Sequence, residues 1–335
     1  MQPLTSNHPP IDLTSTEVAN IWSAFLKNSM ELRFFEYFFA TAEDSQVQTM
    51  VKKMLNHTQD NLKKLESLFI AEKLEVPVGF TDKDVFIGTQ KVFSDSYILF
   101  FVHDLTLLSL SSYPSAISDI TRKDVRALFQ DFIDFTVMIQ NEMTELMLAK
   151  GIYLRPPQLA IASELEIVDS MKYLNGFLGE PRPLNMPEVA NLTRILNRAQ
   201  FSKMVFVTFH HLAATKDMKQ HFKKGRDEIE KVLNSLQEVL ENENIPIAAS
   251  GDYKIMEVGF SPFSEKLMLF FVNSCLGMFC FTMVNQALIT CLRSDIVYKL
   301  MKISRDMRKY YGKGLLLTIS NQWLEEPPKA ANNKL

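Results

Sequence analysis

Apolar residues recur at helical spacing along most of this chain. Val18, Ile21, Trp22, Phe25, Leu32 and Phe39 share one face, so the pattern predicts a helix over roughly 15–42. A second stretch, about 46–73, presents Val47, Val51, Met54, Leu65 and Leu68 in the same way. A third, about 94–112, begins at Ser94, and a fourth, about 121–150, turns Val125, Leu128, Phe132, Phe135, Ile139, Met143 and Leu146 inward.

The pattern then repeats with a period near 170 residues. EVAN at 17–20 returns at 188–191, Lys52-Lys53 meets Lys223-Lys224, and FSDSYILFFV at 93–102 meets FSEKLMLFFV at 263–272. Arg122 and Asp124 meet Arg293 and Asp295, Leu154 meets Leu324, and Pro156-Pro157 returns as Pro327-Pro328. The matches keep their order, which is tandem duplication of one module. The second set of helices is expected near 186–214, 217–243, 263–291 and 295–320. Thr14-x-x-Glu17 and Asn185-x-x-Glu188 mark equivalent starts, each with a side chain placed to satisfy free amides. Gly151 aligns with Asn321, two residue types that readily take a left-handed cap.

Loop lengths carry topology. Helices one and two are joined by about three residues and must be antiparallel neighbours. About 20 residues separate helices two and three, and their extended reach of ~66 Å exceeds the ~40 Å of a helix of this length, so a crossover is possible. One such crossover separates a ferritin-like bundle from an up-down bundle. The expected architecture is all-α, a tandem duplication of a ferritin-like four-helix bundle, with a first bundle at 11–158, a linker at 159–184 and a second bundle at 185–328. Residues 1–10 and 329–335 read as loose ends.

Composition narrows the function classes. The 335 residues hold 11 Gly against 25 Phe and 17 Met, few positions for phosphate loops or bulges. A net charge of −3 gives no basic excess, so nucleic acid is not an expected partner. The three cysteines, Cys275, Cys280 and Cys291, form no metal knuckle and suit a reducing compartment as small core residues. No export signal is visible at the start, and cytoplasmic placement follows as the expectation. Residues 267–292 carry no charge over 26 positions, enough length to span a membrane. Asn273, Ser274, Asn285, Gln286 and Thr290 within them favour a helix buried against protein, in an inter-domain or dimer contact.

GIYLRPPQL (151–159), FLGEPRPLN (177–185), PFSEKLMLFF (262–271) and NQWLEEPPKA (321–330) resemble the DUF3231 proteins, a family of spore-forming bacilli without assigned activity. The resemblance spans nearly the whole chain. It implies two tandem ferritin-like bundles, a loose likeness to spore coat protein F-type proteins and a possible spore association. It also implies a histidine in helix two, where this chain has Asn61 and Val232, a departure that weakens any shared metal site.

A di-iron bundle needs Glu-x-x-His on two helices. Thr5, Met54, Phe100, Val207, Thr208 and Met218 stand three residues before the six histidines, so that motif is absent. A looser candidate survives in the first copy. At 100° per residue Glu36 and Asp104 fall within the apolar stripes of helices one and three, with His57 on the flank of helix two and Glu142 on the edge of helix four. With a crossover the four would lie within roughly 7 Å in height. Their counterparts in the second copy include Val207, Ser274 and Lys313, so the module does not require polarity there. Asp131, Asp134 and Glu145 point outward as a solvated face, one of His210 and His211 can face in, and Gly312 with Gly314 marks a kink or hinge in the last helix.

No catalytic residue and no cofactor is assigned. The leading expectation is a non-catalytic structural or interaction protein, partnered by a second copy or another protein and not by nucleic acid or membrane. The alternative is a metal- or small-ligand-binding protein with one site at Glu36, His57, Asp104 and Glu142.

Overall fold

The computed structural model describes residues 11–88, 90–161, 167–248 and 260–330. Most of the expected loose ends, and part of the linker and of the second long connection, lie outside these. Long helices occupy Ser15–Thr41 (α1), Ser45–Ala71 (α2), Asp95–Ile117 (α3), Lys123–Ala149 (α4), Met186–Leu212 (α5) and Lys216–Asn242 (α6). They are followed by Glu265–Phe270 (α7), Gly277–Thr290 (α8) and Ser294–Ser320 (α9). Among the described residues there is no strand. The chain is all-α and duplicated.

The predicted punctuation is present. Thr14 and Asn185 each accept the N–H of the glutamate three residues on, and Glu17 and Glu188 return the bond to the capping residue, closing both capping boxes. Four helices end alike. Lys73, Gly151, Asn244 and Gln322 adopt φ of 58°, 67°, 55° and 58°, and the next residues, Leu74, Ile152, Ile245 and Trp323, each donate an N–H to the carbonyl five residues back. This is the Schellman closure with its apolar residue one place beyond. The left-handed residue after α9 is therefore Gln322; Asn321 has φ −90° and is still in the last turn. α3 runs to Ile117, past the expected stop, with Pro114 in its last turn, so the one bond the proline forfeits lies at the end of the helix.

By internal contact the chain divides into two compact units: Met1–Val85 with Val102–Glu145 and Glu325–Leu335, and Phe86–Phe101 with Leu146–Leu324. This is a different division from the sequence repeat, since the opening turns of α3 count with the second unit. There Phe93 stacks on Phe263 at 6.0 Å and Phe101 on Phe271 at 4.6 Å, each pair being a residue and its own repeat counterpart.

In the first unit Glu17, at the start of α1, accepts the N–H groups of Thr121 and Arg122 at 2.8 Å, beyond the end of α3. Lys27, further along α1, reaches Ser109 and Tyr113, earlier on α3. α1 and α3 are thus antiparallel. Asn28 meets Asn61 at 3.1 Å, so α1 and α2 are antiparallel as well, and α2 runs parallel to α3. The connection between α2 and α3 is a crossover. Phe80 donates its N–H to Ser29 Oγ at 3.2 Å, and Asp82 pairs with Arg33. α1 is consequently covered on its back as well, with Asn28, Ser29, Glu31 and Arg33 buried beside Phe34, Phe35 and Phe38. An amphipathic stripe alone would have left these polar residues in water.

The second unit repeats this order, since Asn191 near the start of α5 meets Thr290 at the end of α8. One difference is a π segment, Phe271–Leu276, between α7 and α8. The repeat accounts for it. Phe93 to Phe263 and Val102 to Val272 are offsets of 170, whereas Arg122 to Arg293 is an offset of 171, so the second copy carries one extra residue after Val272. A π turn widens the helix enough to absorb one residue while the turns on either side continue. α9 shows no break at Gly312 or Gly314. Gly314 instead admits the π segment, because a Cβ there would lie 2.1 Å from Asn273 Oδ1.

Candidate functional site

Three of the four residues of the expected cluster have partners outside it. Glu36 pairs with Arg33 at 3.1 Å, on the side facing Asp82, and burial raises its carboxyl above the usual range. Glu142 pairs with Lys53 at 2.6 Å on an open surface. The His57 ring stacks on Phe135 with centroids 3.6 Å apart, and burial pushes its imidazole down to about 4, so it is neutral at pH 7. Asp104 is buried within α3. Among the described residues no three His, Cys, Asp or Glu side chains are placed to hold a metal ion.

The interior chemistry of the first unit lies two turns away, around Lys27. Its Nζ donates to Glu31 Oε1 at 2.7 Å, to Ser109 Oγ at 2.7 Å and to the Tyr113 hydroxyl at 3.2 Å. Asn28 Nδ2 donates to the same hydroxyl at 3.1 Å, and Asn61 Nδ2 donates to Asn28 Oδ1. Burial alone would lower the ammonium pKa, and it raises the Glu31 carboxyl against the pull of Lys27; at Lys27 the carboxylate and Tyr113 outweigh burial and hold the ammonium above the usual range. A charged pair can persist here because every donor of the ammonium has an acceptor. The apolar stripe of α1 does not include Lys27, and the sequence reading passed over it. One signal was available: Lys27 and Glu31 are i, i+4 partners, and the repeat places a second cation, Arg198, at the position of Lys27.

Mapped through the repeat, with the π segment taken into account, the six members of this network become Arg198, Ala199, Ser202, Val232, Cys280 and Val284. All six line one cavity of about 30 Å³ inside the second unit, together with Tyr311. Burial pushes the Arg198 guanidinium down to about 9, still protonated at pH 7, and its plane lies 5.4 Å from the Phe201 ring.

Each copy also closes one end with a carboxylate clasp. Glu17 binds the N–H groups of Thr14, Thr121 and Arg122; Glu188 binds those of Asn185, Leu292 and Arg293. Arg182 adds a two-bond contact to Glu188, both at 2.8 Å, and lies over the Tyr173 ring at 4.0 Å. Burial would raise both carboxyl groups, yet the bonds they accept hold each near 2. A polar cleft of about 470 Å³ opens beside the second clasp, and most of its charges are paired: Arg293 with Glu243 and Asp295, Lys299 with Glu238.

A family model described as "Protein of unknown function (DUF3231)" matches residues 4–165 and again 172–335. The chain belongs to the DUF3231 family. No curated protein matches this DUF3231 chain. A crystal structure of a "putative spore coat protein" from Bacillus halodurans C-125 is similar at 21% identity, covering 45% of the DUF3231 chain and 98% of its own, with a TM-score of 0.41.

Other candidate positions of the DUF3231 chain are structural. Cys275 and Cys291 are buried and Cys280 is half-buried, all as free thiols, and burial pushes Cys280 up to about 12 and Cys291 to about 11. His210 and His211 each set Nδ1 against a backbone carbonyl, of Lys219 and Val207 respectively. Glu265–Thr290 is long and apolar enough to cross a membrane, and 53% of its most apolar window is buried inside the protein. Its outward positions include Thr282, Asn285, Gln286 and Thr290.

Proposed function

We propose that this is a non-catalytic structural or interaction protein, built from two ferritin-like modules at 11–158 and 185–328 joined by the linker 159–184, and that the outer face of α9 is where it docks on another protein. The observation that carries this reading is a stripe. Tyr298, Met301, Leu315, Leu316 and Ile319 are 48–65% exposed. At 100° per residue they fall within one ~100° sector of the helix. Exposed Arg305 and Arg308 lie in the middle of that sector. On α4 the same positions are Ala127, Gln130, Thr144, Glu145 and Leu148, largely polar, so the module does not need an apolar face there. Two exposed apolar patches flanking a cationic centre on one face of a folded helix form a contact surface.

The charge pattern selects the occupant. A second copy docked symmetrically through this face would oppose arginine to arginine, whereas a protein with an acidic centre between apolar flanks complements it. Nucleic acid and membrane have no part in this reading. Cytoplasmic or spore-associated placement belongs to it through the likeness of the repeat strings to proteins of spore-forming bacilli.

Photo-crosslinking side chains at position 301 or 316, introduced in the native host, are expected to yield one discrete adduct that disappears in Arg308→Glu. The same probe at 130 or 145 on α4 is expected to yield none. Equal adducts from both faces, or none from α9, would overturn the reading, and an adduct of twice the chain mass would make the partner a second copy.

A further inference from the structure

The two copies treat the same interior point differently. In the first unit the Lys27 ammonium meets the Glu31 carboxylate. In the second, Arg198 keeps the cation, and Ser202 stands in place of the carboxylate with its hydroxyl donating to the Arg198 carbonyl at 2.9 Å. Ala199, Val232 and Val284 replace two amides and a phenol, and the removed bulk is left as the cavity of about 30 Å³. We propose that this cavity binds one small monovalent anion of halide size, held against Arg198 where the first unit uses its own Glu31.

Size, charge and donor type each point the same way. A cavity needs about 10–15 Å³ of this measure to hold a water, so 30 Å³ admits a halide and excludes a carboxylate-bearing metabolite. A small cation would meet the positive charge of Arg198, while an anion is stabilised by it in a low-dielectric surrounding. A guanidinium has five N–H donors, so it can serve an anion alongside the Phe201 ring and any other neighbour. Cys280 and Tyr311, also on the wall, carry S–H and O–H groups, which donate to an anion.

Chloride is the probe. The full chain is unfolded thermally in sodium chloride and in sodium gluconate, each at about 150 mM, so that screening is equal and only one anion fits. The midpoint is expected to be higher in chloride by about 2 °C or more, as ligand binding to the native state requires. In Arg198→Met the difference between the two salts is expected to vanish. Crystals of the unaltered protein soaked in bromide give a readout that does not depend on a variant folding: an anomalous peak beside the Arg198 guanidinium supports the site. Equal midpoints in the two salts, a chloride shift that persists in Arg198→Met, or bromide found only on the surface would each overturn it.

Discussion

Glu31→Ala is expected to destabilise the protein by about 3–5 kcal/mol. The reason is what remains. Lys27 is left with its charge inside the bundle, and Ser109 and Tyr113 offer it only neutral acceptors. Removing both charges together should behave differently, because an apolar pair of similar volume pays no desolvation. Lys27→Met combined with Glu31→Leu is expected to lie within about 1–2 kcal/mol of the parent, or above it. Denaturant unfolding of the parent, both single variants and the double variant measures the coupling. Additive single effects would show that the pair is not the unit described here.

Acid should find the clasps. The Glu188 carboxyl is near 2 in the folded protein against 4.5 in the unfolded chain. A depressed folded value means that this stabilisation is complete above about pH 4.5 and is lost as the pH falls toward 2. Glu17 contributes over the same window. Glu188→Ala, which strands the N–H groups of Asn185, Leu292 and Arg293 and releases Arg182, is expected to cost at least about 3 kcal/mol at neutral pH. Glu188→Gln separates charge from shape. Its unfolding free energy should fall less steeply than the parent's between pH 4.5 and 2. Parallel curves would mean that the clasp is not the acid-sensitive contact.

The helices, their starts and the duplication were legible because each rests on local signals: apolar period, capping residues and recurring strings. The crossover was legible only as a possibility, since loop length permits a path without choosing it. What chose it, the contacts of Glu17 and Lys27 with α3, lies between residues far apart in sequence. The same non-local fact bears on Glu36. A helical wheel ranks faces by hydrophobicity, but the crossover brings Asp82 against Arg33, with which Glu36 also pairs. Lys27 shows the converse, a cation of α1 enclosed by contacts from α3 that no local pattern announces.

The π segment separates two things that a helix normally fixes together. One rod carries both the face that meets Phe101 of α3 and the face that lines the cavity, and in a regular helix the rotation between those faces follows from residue count. One additional residue in a regular helix would turn everything after it by about 100°. The π segment takes up that rotation locally, so Cys280 and Val284 stand on the cavity wall where Ser109 and Tyr113 stand in the first unit. The second copy can therefore differ from the first in the length of this helix, and in the close approach of Asn273 to Gly314 at the widened turn, while the phase of the helix beyond it is kept.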